Sequence, residues 1–145
     1  MTDIDLLRLD QQVCFPLYAA SNLITRLYRP MLDELGLTYP QYLVMMVLWE
    51  RAPRTVGEVG QQLHLDTGTL TPLIKRMEVA GLVARQRDPA DERRVLVTLT
   101  RQGEALREPA RQVPETLAAN LPLPVEDLEK LRAAVTALID AMTAG

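Results

Sequence analysis

Leu17, Leu23, Ile24 and Leu27 recur at helical spacing before Pro30 interrupts the run, which predicts a long first helix ending or kinking near residue 30. Thr38 with Gln41 three residues later reads as a capping box. The stretch from Leu43 to Trp49 is apolar almost all round, so the helix it opens should be central and buried, ending near Arg51 ahead of Pro53. Thr55 and Glu58 repeat the capping spacing and start a short third helix with Val56, Val59 and Leu63 on one face. A fourth helix follows almost at once, over about residues 67–80.

Two short helices so closely joined predict a helix-turn-helix. In the second, Leu70, Leu73, Ile74 and Met77 form the inward stripe, Gly68, Pro72 and Lys75 lie opposite, and Thr69, Thr71 and Arg76 flank them. Small side chains near the helix start allow close approach to base edges in a major groove. Thr67, Thr69, Thr71, Pro72, Lys75 and Arg76 are therefore the candidate DNA contacts. The start of this helix has two readings. With Asp66 as cap, Pro72 removes one backbone hydrogen bond inside the helix; with Thr69 as cap, the proline falls harmlessly in the first turn.

Gly81 stops this helix, and Leu82–Arg87 with Arg94–Leu99 read as two short strands joined by a charged turn that begins at Asp88-Pro89. Asp91 stands two residues from Arg93, close enough for its carboxylate to aim the guanidinium into a flanking minor groove, with Arg87 as a further contact. The expected fold class is mainly α with a small β-wing, a winged helix-turn-helix over residues 55–99. Two more helices are expected at about 100–119 and 125–143. In the last, Leu128, Leu131, Val135, Leu138 and Met142 follow a 3, 4, 3, 4 spacing. That makes about six helices in a single domain, 1–145. Those at 5–36 and 100–143 are left over once the winged helix is built, and a two-fold dimer through them would set two recognition helices about 34 Å apart, one turn of DNA.

Composition agrees with a globular, helix-rich chain: 145 residues, 48% hydrophobic, 24% charged and 4% aromatic. No apolar run approaches the roughly 18 residues that span a bilayer, and the acidic start MTDIDLLRLD lacks the features of a signal peptide, so no membrane is expected and the location is read as cytoplasmic. The net charge of −3 argues against indiscriminate nucleic-acid binding, but residues 66–101 carry seven bases against five acids, a mild basic edge on an acidic body. No enzyme motif competes. His64 is the only histidine and is taken as a surface or boundary residue, so neither a His-based zinc site nor a catalytic triad has its material. Gly57 and Gly60 are isolated helix glycines, not a phosphate loop. No cofactor or metal is expected.

Cys14 is the only cysteine. Such a residue is ordinarily a small buried hydrophobe, but Pro16 suits the first turn of a helix, which would put Cys14 at the positive end of the helix dipole, where thiolate is favoured. Tyr18 lies four residues on, and Tyr28 and Tyr39 bracket the first helix–helix junction. Phenol hydroxyls can donate to a thiolate and hold it.

The segment from Val13 to Glu50, together with LDTGTLTPLIKRMEVAGLV and RDPADERRVLVTLT, closely resembles the organic hydroperoxide resistance repressors of the MarR family. The resemblance covers nearly the whole chain. It implies that Cys14 is the reactive cysteine, hydrogen-bonded by Tyr28 and Tyr39 of a partner subunit with Tyr18 near the same site, that Arg93 enters the minor groove, and that Asp91 supports it. One branch of that family forms a disulfide with a second cysteine in the fifth helix of the partner. Residues 100–122 contain none. Oxidation of Cys14 would then be completed by a low-molecular-weight thiol or proceed to an overoxidised acid.

The function this implies is a homodimeric repressor on a pseudo-palindromic double-stranded operator, released when an organic hydroperoxide oxidises Cys14. Two other readings stand beside it: a MarR-type regulator released by a phenolic or carboxylate ligand, with Cys14 a bystander, and a thiol peroxidase, for which the chain lacks a resolving cysteine.

Overall fold

A computed structural model describes residues 5–144, which group into two compact units, divided between residues 113 and 114. In the first, a 3-10 turn at Leu9–Gln11 precedes α1 (Cys14–Leu35), α2 (Tyr39–Glu50), β1 (Arg54–Thr55), α3 (Val56–Leu63), α4 (Thr67–Val79), β2 (Val83–Asp88), β3 (Asp91–Leu99), α5 (Arg101–Ala105) and α6 (Arg107–Ala110). Next comes α7 (Gln112–Asn120), and the second unit holds α8 (Val125–Thr143).

Pro30 does not end α1. The helix continues to Leu35 and closes at Gly36, which adopts a left-handed φ of 70°. There the Gly36 N–H donates to the Asp33 carbonyl and Leu37 N–H to that of Leu32. The helical turn beyond the proline survives because it carries core residues. Leu32 is buried, Met31 and Leu35 pack against the same cluster, and the Arg26 carbonyl orphaned by Pro30 belongs to an exposed residue.

Helix α2 is the centre of the core. Val44, Met45 and Leu48 are buried, and around them gather Val59 of α3, Leu70, Ile74 and Met77 of α4, and Val83 and Val97 of the sheet. The capping box at its start is complete: Thr38 Oγ1 accepts from the Gln41 N–H, and Gln41 Oε1 accepts from the Thr38 N–H. At α3 only half of the expected box forms. Thr55 Oγ1 accepts from the Glu58 N–H at 3.0 Å, but the Glu58 carboxylate turns away to Arg51 and Arg94, each at 3.4 Å. Two cations outcompete one backbone donor for it.

The sheet has three antiparallel strands in the order β1-β3-β2, one more than the sequence predicts. β1 is only two residues long, pairing Arg54 with Val97 and Thr55 with Leu96. The wing is longer than expected: β2 runs on to Asp88 and β3 starts at Asp91, so the tip narrows to Pro89-Ala90, with Asp88 Oδ1 accepting the Ala90 N–H at 2.9 Å. The helix expected over 100–119 is instead three pieces, α5 to α7. Pro109 and Pro114 explain both breaks, because each lacks the N–H that would bond four residues back, to Ala105 and Ala110, the residues at which α5 and α6 end. Helix α8 forms as expected but buries none of its residues; Leu131 is 49% and Met142 69% exposed.

Candidate functional site

The helix-turn-helix consists of α3, a short turn and α4. Asp66 caps α4, its Oδ1 accepting the Thr69 N–H at 2.7 Å. That decides between the two starts. Pro72 lies inside the helix, and the Gly68 carbonyl goes without its partner on an exposed face. Leu70, Leu73, Ile74 and Met77 are buried as the inward stripe. Thr67, Thr69, Thr71, Pro72, Lys75 and Arg76 are all exposed, leaving one continuous face of small and cationic side chains. Gly60 makes the turn possible: a Cβ there would stand 2.7 Å from the Leu65 carbonyl oxygen. His64 is exposed and ends α3 in the left-handed conformation, φ 56°.

Glu78, in the last turn of α4, holds the base of the wing. Its carboxylate accepts from Arg85 Nη2 at 3.1 Å, from Arg85 Nε at 3.3 Å and from the Arg85 N–H at 3.2 Å. At the wing tip, Asp91 Oδ1 accepts from both the N–H and the Nε of Arg93, at 3.1 and 3.3 Å, while the Arg93 side chain is 92% exposed. The guanidinium is therefore held at one edge and free to enter a groove. Arg87 Nη1 donates to the Glu92 carbonyl at 2.7 Å, which fixes this second exposed cation across the same hairpin. Arg94 joins the wing to α3 through Glu58.

Hydrogen bonds from Thr69 hold the Asp66 carboxyl below its ordinary 3.8, and those from Arg85 hold Glu78 below 4.5. Both groups bind protons more weakly folded than unfolded, so the stability they lend is complete above about pH 5 and is lost as pH falls through the carboxylate range. Acid unfolding followed by circular dichroism should thus begin at higher stability in the native chain than in Glu78→Gln, with the two curves converging at low pH. Parallel curves would remove Glu78 as the clamp.

Cys14 is the first residue of α1, exposed and free of any disulfide, with Pro16 in the first turn. Its neighbours along the chain are exposed apolar side chains: Val13 is 71%, Phe15 42% and Tyr18 68% exposed. Tyr28 and Tyr39 pack together with centroids 4.8 Å apart, and Tyr42 completes a trio at 5.8 and 6.3 Å. Burial, with the neighbouring phenols, pushes Tyr28 up to about 12 and raises Tyr39 and Tyr42 as well, so all three remain protonated donors. Tyr42 was not among the expected site residues, although its place three residues after Tyr39 on one helix puts both on one face. Cys14 and Tyr28 share α1 but are 14 residues apart, about 21 Å along the axis. Cys14 therefore cannot meet Tyr28 of its own chain, whereas Tyr18 lies one turn away.

Comparison with known proteins agrees with this geometry. The family described as transcriptional regulator SarA/Rot matches residues 26–108. The organic hydroperoxide resistance transcriptional regulator of Bacillus subtilis is 46% identical over 95% of this chain and 94% of its own length. The HTH-type transcriptional regulator MgrA of Staphylococcus aureus is 36% identical over 92% and 91%. Among solved structures, reduced AbfR of Staphylococcus epidermidis bound to DNA superposes with a TM-score of 0.79 at 35% identity, covering 94% of this chain and 93% of that one. AbfR has also been solved overoxidized on DNA and in a disulfide form. A winged helix with its reading face and wing exposed, a cysteine opening the first helix, and relatives of this identity over nearly the whole length place the chain in the MarR-type winged-helix transcriptional regulators, in the organic hydroperoxide resistance group.

Proposed function

We propose that this protein is a homodimeric transcriptional repressor that leaves its operator when an organic hydroperoxide oxidises Cys14. One observation carries the reading: the exposed Cys14 opens α1 about 21 Å along the helix from Tyr28, which packs with Tyr39 and Tyr42 of α2 in a partly buried phenol cluster. They can serve one another only between two antiparallel copies, where each Cys14 meets Tyr28 and Tyr39 of the partner subunit. Tyr18 flanks the sulfur from its own chain. In that arrangement the chain is one regulatory domain. Residues 55–99 read DNA through α4 and the wing, and residues 5–36 and 100–143, with the uncovered seam of α8, join the two copies. Paired reading helices then fit a pseudo-palindromic site in double-stranded DNA.

In the reaction, the Cys14 thiolate attacks the distal peroxide oxygen, the O–O bond breaks, the alcohol leaves and sulfenic acid remains. The single cysteine offers no internal disulfide, so a low-molecular-weight thiol completes the oxidation as a mixed disulfide. That AbfR stays on DNA when overoxidized favours this product over further oxidation as the releasing step. The group added to the sulfur displaces it from the phenols, which shifts the two copies and with them the spacing of the reading helices. The ligand-released and peroxidase readings are not favoured: the relatives are transcriptional regulators, and the one from Bacillus subtilis is named for hydroperoxide resistance.

The test uses DNA selected from a random-sequence library by the reduced protein. Cumene hydroperoxide with cysteine should weaken wild-type binding at least tenfold, within the usual span of allosteric coupling, and leave Cys14→Ser unchanged. Retained wild-type binding, or release of the serine variant, would sink the proposal.

A further inference from the structure

A pocket of about 270 Å³ lies between the second half of α1 and the start of α2, with Thr25, Arg29, Asp33, Thr38, Tyr39 and Pro40 in its wall. Thr25, Arg29 and Asp33 are spaced four residues apart, one above another on a single face of α1. Arg29 and Asp33 are exposed and of opposite sign, yet among the described residues neither side chain is in an ion pair, not even with the other. A cation and an anion one turn apart thus face a shared space unspent. A simple anion would meet Asp33 and a simple cation Arg29, so the pattern fits a small zwitterion, its carboxylate on the guanidinium and its ammonium on the carboxylate. The volume is below the roughly 300–1,000 Å³ of drug-sized sites, which excludes a long acyl chain.

Tyr39 belongs both to this wall and to the phenol cluster. The geometry points to the pocket as the docking site of the thiol that completes Cys14 oxidation, and to that thiol as one bearing a free α-amino and a free α-carboxylate group, cysteine being the simplest. This rests on the proposed pairing of Tyr39 with Cys14 across the dimer. The docked thiolate attacks the sulfenic sulfur, an S–S bond forms as the S–O bond breaks, and the oxygen leaves as water with the thiol's proton. The Cys14 sulfur is reduced from sulfenic acid to disulfide while the incoming sulfur is oxidised.

The experiment oxidises the full-length protein with one equivalent of cumene hydroperoxide and adds cysteine, cysteamine (no carboxylate) or 3-mercaptopropionate (no ammonium) at equal thiolate concentration. Mass spectrometry follows the mixed disulfide. Cysteine should react about tenfold faster than either analogue, the size of one charge-assisted hydrogen bond. Arg29→Gln should bring cysteine down to the cysteamine rate without changing cysteamine itself; Asp33→Asn should bring it down to the 3-mercaptopropionate rate. Reduced variants that still bind the selected DNA show that folding is intact. Equal rates for the three thiols in wild type, or variants that keep the preference, overturn the pocket assignment while the peroxide response stands. Failure of dimedone to trap a sulfenic acid on wild-type Cys14 overturns both.

Discussion

Arg93→Ala should weaken binding to the selected DNA by about 2–6 kcal/mol in the proposed dimer, roughly 30-fold to 10⁴-fold in Kd, because each of two wings would lose one groove contact of about 1–3 kcal/mol. The expectation rests on a side chain that is 92% exposed yet held at one edge by Asp91. A guanidinium in water is usually free to turn, and ordering it on binding costs rotamer entropy; Asp91 removes part of that cost beforehand. Asp91→Asn should therefore show a smaller loss in the same direction. If Arg87, tied to the Glu92 carbonyl, meets phosphate as proposed, Arg87→Ala should lower affinity about equally on all sequences and reduce the salt slope by about one per wing. If Arg93→Ala binds like wild type by fluorescence anisotropy at physiological salt, the wing does not enter the groove.

Gly103→Ala should destabilise the fold by about 3 kcal/mol or more, lowering Tm by roughly 12 °C. An added Cβ would collide with the Leu82 carbonyl oxygen and stand 3.3 Å from Leu99 Cδ2. The neighbours cannot yield cheaply. The Gly103 N–H donates to Thr100 Oγ1 at 3.1 Å, its carbonyl accepts from Trp49 Nε1 at 2.9 Å, and Leu82 N–H is bonded to Met77 O at 3.0 Å. Gly57→Ala is the control. There the nearest atom to a new Cβ is Thr55 Oγ1 at 3.9 Å, so helix propensity decides and the chain should gain about 0.5–1 kcal/mol. Thermal melts in which Gly103→Ala matches wild type would mean that α5 is not wedged against the wing base.

These glycines mark the boundary of what the sequence could reveal. The inward stripe of α4, the Thr38 box and the Gly81 stop obey local rules, and each is where the pattern puts it. Three features depended on partners far along the chain. Arg54 and Thr55 become a strand only because Val97 and Leu96 lie beside them, and Glu58 abandons its capping role for Arg94, 36 residues away. Pro30 is carried inside α1 because Leu32, beyond it, has a core to enter. The breaks at Pro109 and Pro114 are locally readable, since a missing N–H acts four residues back. At the cysteine site, the helix start follows from Pro16; the exposure of Cys14 does not, since a lone cysteine is ordinarily buried. The phenol trio does not, because Tyr42 joins Tyr28 only through the packing of α2 on α1.

The Glu78–Arg85 clamp has a thermodynamic corollary. Because the end of α4 and the first strand of the wing are fastened by three hydrogen bonds, the two elements move together, and in the proposed dimer release needs only a change in where the two copies stand. Little apolar surface is uncovered in such a movement, so the reduced and oxidised proteins should differ by almost nothing in heat capacity. A regulator of this construction can be reset by reduction of one sulfur, with no part of its DNA-reading surface having to refold.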